Sequence, residues 1–169
     1  MKKFELTNEF ITNMFGTKLF RIRALVEFGD VEAGELGGYV EKESNLGHDD
    51  NAWVYDNAWV YGNARVSGNE LVCGDARVCG DARVCGNGDY AYAHGFGSVN
   101  RTTTFFRLKD GGVGVRCGCF YGTLAQFRDK IRETHGETKK AQEYLMLADL
   151  MELRFEEDEN EVGNRKYVE

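Results

Sequence analysis

Apolar positions recur every six residues between Asn51 and Gly86, at Val54, Val60, Val66, Val72, Val78 and Val84. Around them the chain reads Asn-Ala-Trp-Val-Tyr-Asp, Asn-Ala-Trp-Val-Tyr-Gly, Asn-Ala-Arg-Val-Ser-Gly, Asn-Glu-Leu-Val-Cys-Gly and, twice, Asp-Ala-Arg-Val-Cys-Gly. Neighbours in an extended strand point to opposite faces, so each valine faces inward and the residues beside it face outward. Gly or Asp, then Asn or Asp, follow two and three places after each valine. That pair signals a turn, because Gly and Asn tolerate positive φ and Asp caps its own backbone. Ala then fills a tight corner. Six residues are too few for a helix plus a turn, and they fit a three-residue strand plus a bend. Such a unit cannot bury its apolar face alone, so it stacks on its neighbours.

The flanks carry other periods. Leu19, Arg21 and Arg23 alternate with Phe20, Ile22 and Ala24, the pattern of a half-buried strand. Gly29-Asp30, Gly34 and Gly37-Gly38 mark turns, so residues 1–45 read as an N-terminal β cap. Thr102–Leu108 and Val113–Tyr121 read as a hairpin turned at Lys109-Asp110-Gly111-Gly112. Thr123 then caps a helix, with Gln126 placed for a capping box. Leu124, Phe127 and Ile131 form that helix's apolar face, and His135-Gly136 ends it. Thr138 caps a second helix, with Tyr144, Leu145, Leu147, Ala148, Met151 and Leu153 on its buried side. The expected division is a β cap over 1–45, repeats over 46–100, and a ββαα module with an acidic tail over 101–169.

Val-x-Gly-Asn/Asp-Ala-x resembles the motif of the hexapeptide-repeat family, over about Asn51–Val99. The resemblance implies a short left-handed parallel β-helix with three hexads to a coil. On that reading residues 18 apart stack: Val54 under Val72 and Tyr90, Val60 under Val78 and Phe96, Val66 under Val84. The expected fold class is therefore mainly β with α: a short left-handed parallel β-helix, its N-terminal β cap, and a C-terminal hairpin with two helices. Fewer than three coils fit, so both ends need covers. The string Cys117-Gly-Cys-Phe-Tyr-Gly-Thr-Leu, with Thr134-His-Gly and Glu152-Leu-Arg-Phe, resembles uncharacterised hexapeptide-repeat proteins of phages and prophages. That likeness implies a phage accessory context and carries no catalytic residues.

With 42% hydrophobic residues in a chain of 169, a globular unit is expected. The chain shows no apolar run long enough for a membrane span and no signal-peptide pattern at its start, so a cytoplasmic setting is expected, that of the host cell if phage-encoded. Net charge is −7, which disfavours duplex DNA as a partner. Charge is nonetheless uneven. Arg101, Arg107, Lys109, Arg116, Arg128, Lys130 and Arg132 outnumber Asp110 and Asp129 in one stretch, either a solvated surface or a basic face for an anionic partner. The tail reverses this with Glu156, Glu157, Asp158, Glu159 and Glu161.

Catalytic chemistry is not expected. Cys73, Cys79 and Cys85 share one hexad slot and point in three directions, so they cannot share a metal. Cys117-x-Cys119 is a weak metal signal by itself. No disulfide, metal or cofactor is expected. Hexapeptide-repeat acyltransferases use a histidine base, and the related carbonic anhydrases use three zinc-binding histidines. Here His48 lies in a turn, His94 has no marked charge partner, His135 sits at a helix end, and no plausible trio forms.

The outer faces are the candidate site. Trp53 and Tyr55 flank Val54, and Trp59 and Tyr61 flank Val60, so all four are expected to point outward. Beside them stand Arg65, Arg77 and Arg83. These seven are the candidate ligand- or partner-binding residues. Either the chain's own flanks cover the aromatics or they form an interaction patch. In the second case a homo-oligomer follows, with a trimer favoured by the family. The expected function is a non-catalytic binding protein of phage or prophage origin. It would sequester a host protein or a small anionic, nucleotide-like ligand, with counter-defence as one role. The alternative is a small hexapeptide-repeat acyltransferase.

Overall fold

The computed structural model describes residues 1–86, 88–97 and 101–156. Val99 and the acidic residues from Glu157 onward lie outside the described residues. The chain opens with β1 (Phe4–Thr12), β2 (Lys18–Ala24) and β3 (Leu36–Val40), joined as an antiparallel meander. A short 3-10 turn at Glu43–Asn45 leads into six two-residue strands. These are β4 (Trp53–Val54), β5 (Trp59–Val60), β6 (Arg65–Val66), β7 (Leu71–Val72), β8 (Arg77–Val78) and β9 (Arg83–Val84). Then follow β10 (Tyr90–Phe96), β11 (Arg101–Arg107), β12 (Val113–Cys117), β13 (Phe120–Thr123), α1 (Leu124–His135) and α2 (Lys139–Phe155).

The repeat strands pair in parallel at a spacing of 18 residues. Val54 lies opposite Val72, Val60 opposite Val78, and Val66 opposite Val84. All six valines are fully buried, and the corner alanines Ala52, Ala58, Ala64, Ala76 and Ala82 are buried with them. One backbone slot explains the Gly/Asp alternation. Asp56, Gly62, Gly68, Gly74 and Gly80 all adopt left-handed φ, from 52° at Asp56 to 68° at Gly62, the region that glycine enters without penalty. The carboxylates stitch one turn to the turn below. Asp50 Oδ2 accepts from Gly68 N at 3.0 Å, and Asp56 Oδ2 accepts from Gly74 N at 3.1 Å.

The expected fold class, a left-handed parallel β-helix, is overturned. The chain divides among several small mixed and antiparallel sheets with two helices. The largest sheet is mixed, in the order β1-β2-β3-β5-β8. A second is antiparallel, in the order β10-β11-β12-β13, and β4-β7 and β6-β9 form two separate pairs. The reason lies in the ladder's length. Six hexads give each face too few rungs to stand alone. The flanks therefore supply sheet partners, and β3 pairs with β5 through Tyr39 and Trp59. Tyr90 and Phe96 do not extend the stack as expected. Tyr90–Phe96 is a long strand paired antiparallel with β11, so it belongs to the C-terminal sheet.

The sheet β10–β13 lies between two cores. Adjacent residues of β11 point to opposite faces, so Phe106 joins the valine core while Phe105 packs with Val115 under the helices. Helix α1 begins as the sequence suggests. Thr123 Oγ1 accepts from Gln126 N at 3.2 Å and Gln126 Oε1 accepts from Thr123 N at 2.9 Å. Thr138 Oγ1 caps α2 by accepting from Ala141 N at 3.3 Å, without a reciprocal side-chain bond. In β2 the expected alternation fails: Leu19, Ile22 and Ala24 are buried, while Phe20 is only half-buried. A register shift against β3 between Arg21 and Arg23 changes the face midway along the strand.

The β cap is seated by a buried lysine. Lys3 Nζ donates to Asp50 O and Ala52 O, both at 2.7 Å. Burial lowers its pKa to about 8, against the opposing pull of Asp50 and Asp49. The folded pKa lies below the unfolded one, so the unfolded chain holds more protons above pH 8 and folding gains stability as pH rises. Stability is expected to climb between about pH 8 and pH 9.5 in the wild type, and Lys3→Met should flatten that rise in paired chemical denaturations. Val78→Asp should place an unpaired charge in the dry valine core. A loss of about 3–5 kcal/mol, a fall in Tm of roughly 10 °C for a chain of this size, is the outcome to look for in a thermal melt.

Candidate functional site

Of the four aromatics expected to point outward, the chain covers two. Trp53 is fully buried, edge-on to Phe28 at 5.3 Å and to Phe4 at 6.3 Å between ring centroids. It is core, placed there by the cap whose own core residues need a partner. Tyr61 is buried as well, beside Cys79, and burial raises the pKa of both groups. Tyr55 is half-buried against the valine core. Trp59 alone of the four both remains accessible and lines a cleft.

That cleft, of about 300 Å³, is lined by Asn57, Trp59, Asp75, Arg77, Arg101 and Thr102, with Gly118 closing one side. The parallel pairing of β5 with β8 sets Arg77 directly beside Trp59. Its guanidinium carbon lies 3.9 Å from the ring centroid, a cation–π stack that holds the charge in place. The backbone at Arg77 is tied to the C-terminal sheet, since Thr104 Oγ1 accepts from Arg77 N at 3.0 Å. The Arg101 guanidinium packs against Gly118, where any side chain would collide with it.

Arg116 stands behind this cleft. It lies on β12 opposite Thr104, on the face turned toward the repeats, and is 5% exposed. Its Nε has no hydrogen-bond partner. Nη2 reaches only the Met14 thioether at 3.9 Å, and Phe15 of the β1–β2 turn lies under the guanidinium. Burial lowers the Arg77 pKa, Tyr61 and Asp75 oppose that, and the neighbouring Arg116 and Arg101 charges lower it further. Among the described residues no carboxylate forms an ion pair with Arg77, Arg101 or Arg116. Three arginines thus share one neighbourhood in which Asp75 is the carboxylate lining the cleft, and it forms an ion pair with none of them.

Apart from Lys109, the rest of the basic stretch is neutralised. Arg107 pairs with Asp89 at 3.1 Å, Arg128 with Asp149 and Glu152, Lys130 with Glu133, and Arg132 with Asp129. Arg101 and Arg116 were visible in the sequence as basic residues but not as site residues. The signal for Arg116 lay in β12, where Val-Gly-Val-Arg-Cys alternates and puts Arg116 on an inner face with Gly114. Arg65 and Arg83 form a separate pair on another ladder and do not reach the Trp59 cleft.

The histidines have contacts of their own. His48 stacks on Phe4 with centroids 4.4 Å apart, accepts from Lys3 N at Nδ1 and faces Glu43 at Nε2. His94 Nδ1 lies 2.7 Å from Thr102 Oγ1, and His135 stacks on Tyr144. None of them lines the cleft. Among the described residues the five cysteines form no disulfide. Among the described residues no three of His, Cys, Asp and Glu gather as a set that could hold a metal ion, and no helix is long and apolar enough to cross a membrane. No protein-family model and no curated protein sequence matches the chain.

A buried, unpaired guanidinium is costly to folding, and replacing it with an apolar side chain of similar length relieves that cost. Arg116→Met should therefore leave Tm unchanged or raise it, while weakening any anion held by the cleft; calorimetry of the folded variant reads both.

Proposed function

We propose that the protein acts by binding, without a chemical step, and that it captures a small anionic ligand in the cleft between Trp59, Arg77 and Arg101. The observation that carries this reading is the Arg77 guanidinium, stacked 3.9 Å over Trp59 and close to two further arginines, with no carboxylate pairing with any of the three among the described residues. Such a cluster repels itself when empty and gains from an anion that arrives. Planar guanidinium forks suit phosphate and carboxylate oxygens. Arg77 already covers one face of Trp59, so charge pairing contributes more affinity than base stacking. Asn57 and Thr102 add neutral hydrogen-bonding groups at the rim. All these residues come from one chain, so capture needs no second subunit.

A nucleotide-like ligand fits this chemistry. In the phage or prophage setting that the sequence resemblance implies, withholding such a ligand from the host would be a counter-defence role. The alternative, a small acyltransferase, needs a base in the cleft; His48 and His135 are held elsewhere, and His94 touches only the rim residue Thr102.

Native mass spectrometry of the protein purified from cells would reveal a retained ligand, and titration calorimetry with nucleoside mono- and diphosphates would rank candidates. Trp59→Ala or Arg77→Ala should cost about 2 kcal/mol, roughly thirtyfold in affinity. His94→Ala should leave binding and biological activity intact. An activity that survives both anchor substitutions and dies with His94→Ala would overturn the reading in favour of catalysis.

A further inference from the structure

The third ladder of the repeat presents a second cationic feature, independent of the Trp59 cleft. Arg65 on β6 and Arg83 on β9 are direct partners in a parallel pair, one strand spacing apart at about 4.8 Å. Like charges set opposite one another in a ladder destabilise it. Here two more cations join them. A pocket of about 390 Å³ is lined by Lys42, Asn63, Arg65, Asp81, Arg83 and Lys109.

The pocket is built from anchored segments. Arg83 Nη1 donates to Asn63 O at 2.7 Å and to Ala82 O at 2.9 Å, which fixes the guanidinium and leaves its Nε and Nη2 edge available. Lys109 N donates to Asp81 O at 2.9 Å, and Lys42 N donates to Asn45 Oδ1 at 2.9 Å. The single carboxylate, Asp81, accepts from Asn63 Nδ2 at 3.3 Å. Among the described residues, none of Lys42, Arg65, Arg83 and Lys109 forms an ion pair. Four cations therefore face one carboxylate around one concavity, in a protein whose net charge is −7.

We infer that this pocket is a binding site for a compact dianionic oxyanion, a phosphate group. A single carboxylate would leave most of the cationic excess unbalanced. A phosphate carries close to two charges at neutral pH and three acceptor oxygens, enough to meet a guanidinium edge and two ammonium groups at once. The group is supplied either by inorganic phosphate or by a small phosphomonoester.

The test is NMR of the arginine Nε–H resonances in low-salt, phosphate-free buffer, titrated with inorganic phosphate in one arm and glycerol phosphate in the other. The Arg83 and Arg65 signals should shift saturably in at least one arm, with a midpoint at or below about 1 mM. Tighter binding of glycerol phosphate assigns the site to phosphomonoesters, and equal or weaker binding assigns it to the free ion. Arg65→Gln combined with Lys109→Gln, both exposed positions whose loss should leave the fold intact, should weaken binding at least tenfold. Trp59→Ala should leave it unchanged, which separates this site from the first. Shifts that stay linear to about 10 mM, or that persist undiminished in the folded double variant, would overturn the assignment.

Discussion

Everything in this molecule depends on the depth of one backbone slot. Asp56, Gly62, Gly68, Gly74 and Gly80 turn the chain through left-handed φ once every six residues, and this sets each valine over the valine 18 places on. Since parallel partners lie in register, the residues beside the valines are stacked too. Trp59 meets Arg77 and Arg65 meets Arg83 for the same reason that Val60 meets Val78. The core requirement thus writes the surface chemistry. A one-residue slip would send the valines outward and scatter both cationic sites.

A stack so short exposes apolar area at both ends, and its covers complete the sites. At one end the N-terminal meander drops Phe4, Leu19 and Ile22 onto the valine core and buries Trp53. At the other, β11 lays Phe106 on the same core and turns Phe105 toward α1 and α2. The second cover carries Arg101 and Arg116 to the Trp59 cleft. The turn between β1 and β2 reaches Arg116 from the opposite side of the chain, through Met14 and Phe15. The cleft is therefore composite: repeat, cover and cap each contribute, though only the repeat announces itself as a pattern.

The repeat also tolerates exceptions where a flank needs them. Glu70 stands in the corner slot that is otherwise alanine, 5% exposed, with Oε2 lacking a hydrogen-bond partner. Burial raises its pKa, the Asp89 charge raises it further, and Arg154 opposes both. Asp89 in turn holds Arg107, so this carboxylate pair sits where the repeat gives way to the C-terminal sheet.

Read alone, the sequence determined whatever depends on neighbours close along the chain. The valine period, the Gly/Asp turn slot, the capping box at Thr123, the cap at Thr138 and the β11–β12 hairpin are local preferences, and the structure contains each of them. Tertiary structure decided the rest. The resemblance to hexapeptide repeats suggested a single parallel β-helix; instead one short ladder joins the N-terminal meander through the parallel pairing of β3 with β5, and a separate antiparallel sheet covers the core. Whether an outward aromatic stays outward depended on which flank needed apolar area: Trp53 was covered, while Trp59 kept one face for Arg77. Among the ion pairs of the basic stretch, Lys130–Glu133 and Arg132–Asp129 are neighbours on one helix, but Arg107 reaches Asp89 and Arg128 reaches Asp149 and Glu152 only through the fold. Which arginines are left without a carboxylate is a property of the folded surface, because it depends on distances that no spacing in the chain encodes.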